Sequence, residues 1–377
     1  MILPELASRH AWDVRTKPEL DEDDMWLTPG PIVWQTERFV GAPMFYPVYR
    51  WQDFYATGPL PLIVLKGGLE LDPAIARRVR GEVRYLPTNA TIDRAIRRIG
   101  APRMSTRELT DEAAYIAAFA AATRADVALA EARHPGSTNV VLCGGKDSLN
   151  LLLLPWKNPV LAVSAEPNFP LVQQFVRDNR LDIAVERLDD RDDAHLDSEV
   201  AHNACRIGLE HVRWSGELHA LARRFEGRAI FWLGAMADVL TTPKWRVYSH
   251  PSWLSSLRRL PGLRGLAGTE AGQDFHAWTS YYRGAMWQGG SMSIMKGMTD
   301  ALVLSGYHGP AMRGLLARLD LRTITRDIRP AIGEALAGGP VVYPTANPSP
   351  APSSFRRGLA GLERFLAVLA RHGLAPA

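Results

Sequence analysis

The sequence predicts an α/β protein: a doubly wound parallel sheet, with a small β-rich N-terminal domain before it and a helical part after it. Three observations carry this. Between residues 110 and 240, short β-branched apolar runs alternate with helical stretches, the pattern of crossover units in a parallel sheet. Before residue 104, several short apolar runs are broken by Pro and Gly without helical spacing, as in a small β-rich or α+β unit. Beyond residue 241 the chain reads as mostly helical. The expected organisation is residues 1–104, then 105–345, then a Pro-rich segment and closing helix over 346–377.

A chain of 377 residues is too long for one small core,. Its 46% apolar and 22% charged content allows the whole of it to be globular,. The net charge of +4 is spread as arginine pairs such as Arg77-Arg78 and Arg223-Arg224. No dense basic stripe points to nucleic acid. Two cysteines, Cys143 and Cys205, form no CxxC pair, so neither a zinc site nor a disulfide framework is expected. The longest apolar run, 149–154, is far short of the roughly 20 residues that span a bilayer. The N-terminus lacks a basic stretch followed by an apolar core,. A cytoplasmic protein with no membrane partner is expected, and a homodimer is a possible assembly.

In chain order, residues 31–34, 44–49, 60–65 and 82–86 read as strands, with Trp26, Trp34 and Trp51 packing in their core or against the next domain. An Ala-rich helix opens at Asp111-Glu112 and runs to Arg133, with acids at its start and bases at its end, as the helix dipole favours. His134 to Ser137 breaks it. Residues 139–143 form a buried strand, Gly144-Gly145-Lys146-Asp147-Ser148 a glycine turn, and 149–154 a helix stopped by Pro155. Strands follow at 160–164, 183–188 and 229–233, helices at 170–179, 198–209 and 216–225. The acidic 189–193 stretch reads as a solvated turn. Residues 245–287 are rich in Trp and Tyr, 305–310 form a tight loop, 311–319 and 327–336 are helical, and 356–372 are an amphipathic helix.

Strand, glycine loop and helix start together make a phosphate cradle, because glycine lets backbone approach the anion and the free N–H groups point at it. It is neither a Walker loop, since Gly-x-x-x-x-Gly-Lys-Ser/Thr is absent, nor a dinucleotide fingerprint, since the third glycine is missing,. Asp147 in such a loop would repel a polyphosphate without a metal. The strand at 229–233 runs into Gly234-Ala235-Met236-Ala237-Asp238. Asp238 either caps the next helix or shares a magnesium ion with Asp147, which the same sheet edge would allow.

Cys143-Gly144-Gly145-Lys146-Asp147-Ser148 resembles the PP-loop, Ser-Gly-Gly-x-Asp-Ser, of the ATP pyrophosphatases. With the helix before it, the chain over about residues 105–340 resembles the synthetase domain of the asparagine synthetase family, relatives of which include β-lactam synthetases and lasso-peptide cyclases. Residues 233–238 resemble that family's Ser-Gly-x-Gly-x-Asp-Glu segment. Residues 305–310 and Arg326-Asp327-Ile328-Arg329 loosely resemble its later Arg-x-Pro-Phe-Leu-Asp and Lys-x-x-Leu-Arg elements.

The resemblance implies ATP and magnesium. Cys143, Gly144, Gly145, Lys146, Asp147, Ser148, Ser164 and Gly234 would hold the nucleotide, Asp147 and Asp238 the metal. It implies an AMP- and pyrophosphate-forming ligase or cyclase activating a small-molecule or peptide carboxylate, with Lys296, Arg326 or Arg329 as the catalytic cation. Val239 and Met236 stand where the family has Glu and Gly, which leaves an inactive nucleotide-binding homologue open. Residue 2 is Ile, and no cysteine precedes Cys143. Ammonia release from glutamine is therefore not expected. The nucleophile would be ammonia, another amine or a sulfur donor, the last giving a thioamide.

Overall fold

Five short strands pair in parallel to form the central sheet of the computed structural model. The structure describes residues 13–15, 22–36, 48–57, 61–62, 65, 84–86, 90–93, 96–99, 106–188, 215–243, 292, 296 and 301–344. The sheet comprises β8 (Thr138–Leu142), β9 (Val160–Ser164), β10 (Ala184–Arg187), β11 (Ala229–Leu233) and β12 (Leu302–Ser305), in the order β10-β9-β8-β11-β12. β8 feeds β9 on one side, whereas β11 feeds β12 on the other. The β8/β11 boundary is therefore the topological switch point, where such sheets open a crevice beyond their carboxyl ends.

Successive residues of each strand face opposite ways, and here they divide between two cores. Val141, Ala162, Ile230, Trp232, Leu302 and Leu304 face one. Val140, Leu161, Val163, Phe231 and Val303 face the other, with Leu218 and Leu221 of helix Ser215–Phe225. Helices thus cover both faces, as a doubly wound sheet requires.

Helix Glu112–Arg133 starts at its cap Asp111, whose carboxylate accepts from the Ala114 amide at 2.7 Å. Among the described residues it is the one helix long and apolar enough to cross a membrane. It lies in the first core through Tyr115, Phe119 and Ala130. Two of its acids are buried and hydrogen-bonded. Glu131 accepts from Asn139 Nδ2 and from the Lys157 and Asn158 amides, and Asn139 Oδ1 accepts from Trp232 Nε1 at 2.8 Å. Asp126 accepts from the Ala311 and Met312 amides at 2.7 and 3.0 Å, at the start of helix Pro310–Leu316. A Cβ on Gly309 would lie 2.3 Å from Asp126 Cγ, so only glycine lets the carboxylate reach these amides.

Burial pushes Asp126 up to about 6, against those two amide hydrogen bonds and the Arg313 charge. Its folded pKa lies above its unfolded one. Its contribution to stability is therefore full below pH ~4 and is lost as pH rises through about 6,. Thermal melts between pH 4 and 7 should show the native chain losing stability relative to Asp126→Asn as pH rises; parallel curves would refute the assignment.

Ahead of the parallel sheet lies a small mixed sheet of β1 (Asp13–Arg15), β2 (Ile32–Gln35), β3 (Val48–Trp51), β4 (Phe54–Ala56) and β5 (Arg84–Leu86). Its order is β1-β2-β4-β3-β5, with β1 and β2 parallel and the rest antiparallel. A hairpin, β6 (Ala90–Asp93) with β7 (Ile96–Ile99), follows. Helix α1 (Glu22–Leu27) joins the two sheets: Trp26 meets Trp232 edge-on at 6.2 Å, and Asp23 pairs with the buried Arg313. Trp34 stacks on Tyr55 and Trp51 on Phe54.

Three expectations need correction. The 60–65 run is helical at 61, 62 and 65 rather than a strand. Pro61 suits a helix start, and Leu62 and Leu65, both buried, have i, i+3 spacing. The part beyond residue 241 contains a strand, β12, of which every residue is buried; so short an apolar run has no period to separate strand from helix. The helix after the glycine loop begins at Lys146 rather than at residue 149 and continues as a 3-10 turn over Asn150–Leu153. The 189–193 turn, the 198–209 helix, the aromatic-rich 245–287 segment and the 356–372 helix lie outside the described residues.

Candidate functional site

At the carboxyl end of β8 the chain turns through Gly144 and Gly145 into α2 (Lys146–Leu149). The Gly144 and Gly145 amides converge on one oxygen, Ser148 Oγ, at 3.0 and 3.3 Å, and that hydroxyl donates to the Gly145 carbonyl at 2.9 Å. The loop thus presents two N–H groups to a single acceptor, the arrangement that anion-binding nests use.

Across the switch point, Gly234 follows the end of β11. A Cβ there would lie 2.8 Å from the Ser148 nitrogen, 3.0 Å from the Asp147 carbonyl carbon and 3.1 Å from Asp147 Cβ. The two loops touch backbone to backbone, and glycine is what allows it. Two residues on, Met236 sits at φ 76°, the left-handed region that costs most residues about 1 kcal/mol or more, and its side chain is fully buried,. The helix Ala237–Thr241 starts from it, so Asp238 stands inside the first turn rather than at the cap.

Asp147 meets a residue far along the chain: Arg329 Nη1 donates to its Oδ1 at 3.3 Å, 182 positions away in sequence. Arg329 opens α3 (Arg329–Ala337). Asp327 orients its guanidinium, accepting from Nε at 2.8 Å and Nη2 at 2.6 Å. These bonds raise the Arg329 pKa. Asp327 itself is held below the usual carboxylate range: burial opposes this, but the Arg329 hydrogen bonds outweigh it, and the Lys146 charge adds to them. Asp147 and Arg329 side chains are 22% and 20% exposed, so the pair is part-buried at the switch point, where sheets of this kind open their cleft, rather than in the core. The Asp147 carbonyl accepts from the buried Tyr307 hydroxyl at 2.7 Å. A shallow recess beside the loop is lined by Gly145, Lys146, Leu149, Asn168, Val172 and Pro344.

The remaining candidates stand elsewhere. Ser164, at the end of β9, donates to the Cys143 carbonyl at 2.6 Å and ties two strand ends together. Cys143 is buried, its thiol lies 3.5 Å from the Val141 carbonyl, and burial pushes its pKa well up. An unreactive thiol follows, unsuited to relaying sulfur. Arg326 is 61% exposed and pairs with Glu112. Lys296 is 5% exposed and donates to the Met25 and Trp26 carbonyls at 3.2 and 2.7 Å, in the last turn of α1. Burial pushes Lys296 down to about 7. Its charge also reaches His134, which precedes β8, so Lys296 lies toward the edge of the sheet where β8 begins. The glycine loop stands at the other edge.

Of the three candidate cations, the structure therefore brings Arg329 alone to Asp147. Asp327, Asn150 and Tyr307 were not named as site residues. Asp327 and Tyr307 had a signal, their places inside the 326–329 and 305–310 segments that the resemblance covers; Asn150 had none. Among the described residues no group of three or more His, Cys, Asp or Glu could hold a metal ion. Magnesium needs no such group, since it takes one or two carboxylates and completes its shell with phosphate and water. The loop amides, Lys146 and Arg329 supply positive character beside the carboxylates of Asp147 and Asp327, a donor set that fits a metal-bound polyphosphate. Comparison with protein-family models and with curated proteins finds no match.

Proposed function

We propose that this chain is an ATP-dependent ligase that activates a carboxylate with release of pyrophosphate, of the PP-loop type that the asparagine synthetase resemblance implies. The observation that carries the reading is the meeting of Gly144–Ser148 with Gly234 across the switch point, with the Arg329 guanidinium on Asp147. The strand order and the parallel sheet support it. So does Met236: where the family segment has glycine, this chain keeps a left-handed backbone. Burial of the methionine side chain offsets that strain.

ATP would supply the chemistry, since a carboxylate has no adequate leaving group until its oxygen is joined to AMP. The chain's own residues would do the rest. Gly144 and Gly145 offer their amides to a phosphate oxygen, with Ser148 turning aside or sharing them. Asp147 would hold magnesium, with Asp238, in the first turn of the helix Ala237–Thr241, as the second carboxylate that the resemblance implies. Arg329, oriented by Asp327, places fixed positive charge where negative charge builds on the departing pyrophosphate, as electrostatic preorganisation requires. Lys146 adds a second cation at the rim. We take the nucleophile that receives the activated acyl group to be ammonia or another amine; Cys143, buried against the Val141 carbonyl, is not placed to relay sulfur from a donor.

ATP–pyrophosphate exchange across a panel of amino-acid, peptide and aryl carboxylates tests this. Exchange that depends on one carboxylate class and on magnesium is expected. No exchange with any of them, alongside hydrolysis of ATP to ADP, would overturn the reading.

A further inference from the structure

We infer that Tyr343, through Asn150, is a positioning residue that fixes Arg329 in register with Asp147; this rests on the assignment of Arg329 to the nucleotide site. Asp147 and Asn150 are one turn apart, at i and i+3, and so share a face of the helix that leaves the glycine loop. Each holds a different part of the same arginine. Asp147 accepts from the Arg329 guanidinium. Asn150 Nδ2 donates to the Arg329 carbonyl at 2.9 Å. One helical turn thus grips Arg329 by side chain and by main chain, which sets the angle at which α3 delivers its first side chain to the cleft.

The grip depends on which way the Asn150 amide faces. Asn150 is 2% exposed, so water does not set that choice. Tyr343 does: its hydroxyl donates to Asn150 Oδ1 and lies 3.5 Å from the Arg329 carbonyl. With Oδ1 occupied, Nδ2 must face Arg329. A slot is kept open for this hydroxyl. A Cβ on Gly333 would lie 1.6 Å from Tyr343 Oη and 2.9 Å from Asn150 Oδ1. Tyr343 is in turn held from outside the site. Its ring packs on Phe175 at 5.6 Å, and its neighbour Val342 exchanges two hydrogen bonds with the Asn179 side chain, both 2.8 Å. Asn179 caps the helix Phe169–Asp178 that follows β9. The chain of contacts therefore runs from that helix through Tyr343 and Asn150 to the charge at the cleft.

Tyr343→Phe removes the hydroxyl and keeps the ring on Phe175. Calorimetric titration with Mg·ATP should show the dissociation constant rising about 3- to 10-fold, the scale of one hydrogen bond. In an Arg329→Ala background the same substitution should change it less than about 2-fold. An equal loss in both backgrounds would show that Tyr343 acts through general stability and overturn the inference. A second readout needs no nucleotide. In arginine-labelled protein the Arg329 Nε–H, held by Asp327, should exchange with solvent at least about fivefold faster in Tyr343→Phe, and an unchanged rate overturns the inference. If the native chain binds no Mg·ATP, the ligase reading fails, and the exchange rate still decides the role of Tyr343.

Discussion

Replacing Asp147 with alanine is expected to lower ATP–pyrophosphate exchange by about 10²- to 10³-fold, the scale on which one preorganised charge-stabilising group acts. The fold should survive. The Asp147–Arg329 contact is long, at 3.3 Å, and part-exposed, and such pairs contribute about 1 kcal/mol or less. Arg329 would keep both bonds to Asp327. A melting temperature within a few degrees of native, with exchange lost, is the expected pair of results. Exchange near the native rate would remove Asp147 from the metal and with it the role of the loop.

Substituting Gly234 has the opposite signature. A side chain there meets the Ser148 nitrogen and the Asp147 backbone at 2.8 to 3.0 Å. These are main-chain atoms that cannot rotate away. Gly234→Val should therefore force the β11 loop and the glycine loop apart, costing about 1–3 kcal/mol as overpacked cores do, and should weaken Mg·ATP binding at least about tenfold. Gly144→Ala is the control for stability, since a Cβ at Gly144 meets nothing within 4 Å, and its melting temperature should stay close to native. Equal melting temperatures for Gly234→Val and Gly144→Ala would mean that the two loops are not in contact.

These two residues also mark how far the sequence could be read. Asp147 was legible because a strand, two glycines and a helix start occupy consecutive positions, so local pattern alone places it. Gly234 was legible as the residue after a strand. Its packing against Ser148 was not, because that depends on β8 and β11 being neighbours, with partners such as Ala229 and Thr138 far apart in the chain. Pairing of that kind is tertiary and leaves no periodic trace. The same reason hid Asn150 and Tyr343: their hydrogen bond joins a turn to the segment after α3. Arg329 and Lys296 looked equivalent in sequence, each a candidate catalytic cation. Folding separates them, sending one to a carboxylate in the cleft and burying the other beneath α1. β12 was missed for a plainer cause: an apolar run as short as Leu302-Val303-Leu304 fits either secondary structure,.

The central claim is that the bend after β8 receives a metal-bound triphosphate. Calorimetric titration of the full chain with ATP, with and without magnesium, tests it most directly. One site per chain, dependent on magnesium and lost in both Asp147→Ala and Gly234→Val, is the predicted result. Absence of binding up to millimolar ATP, or binding that both variants retain undiminished, would contradict it.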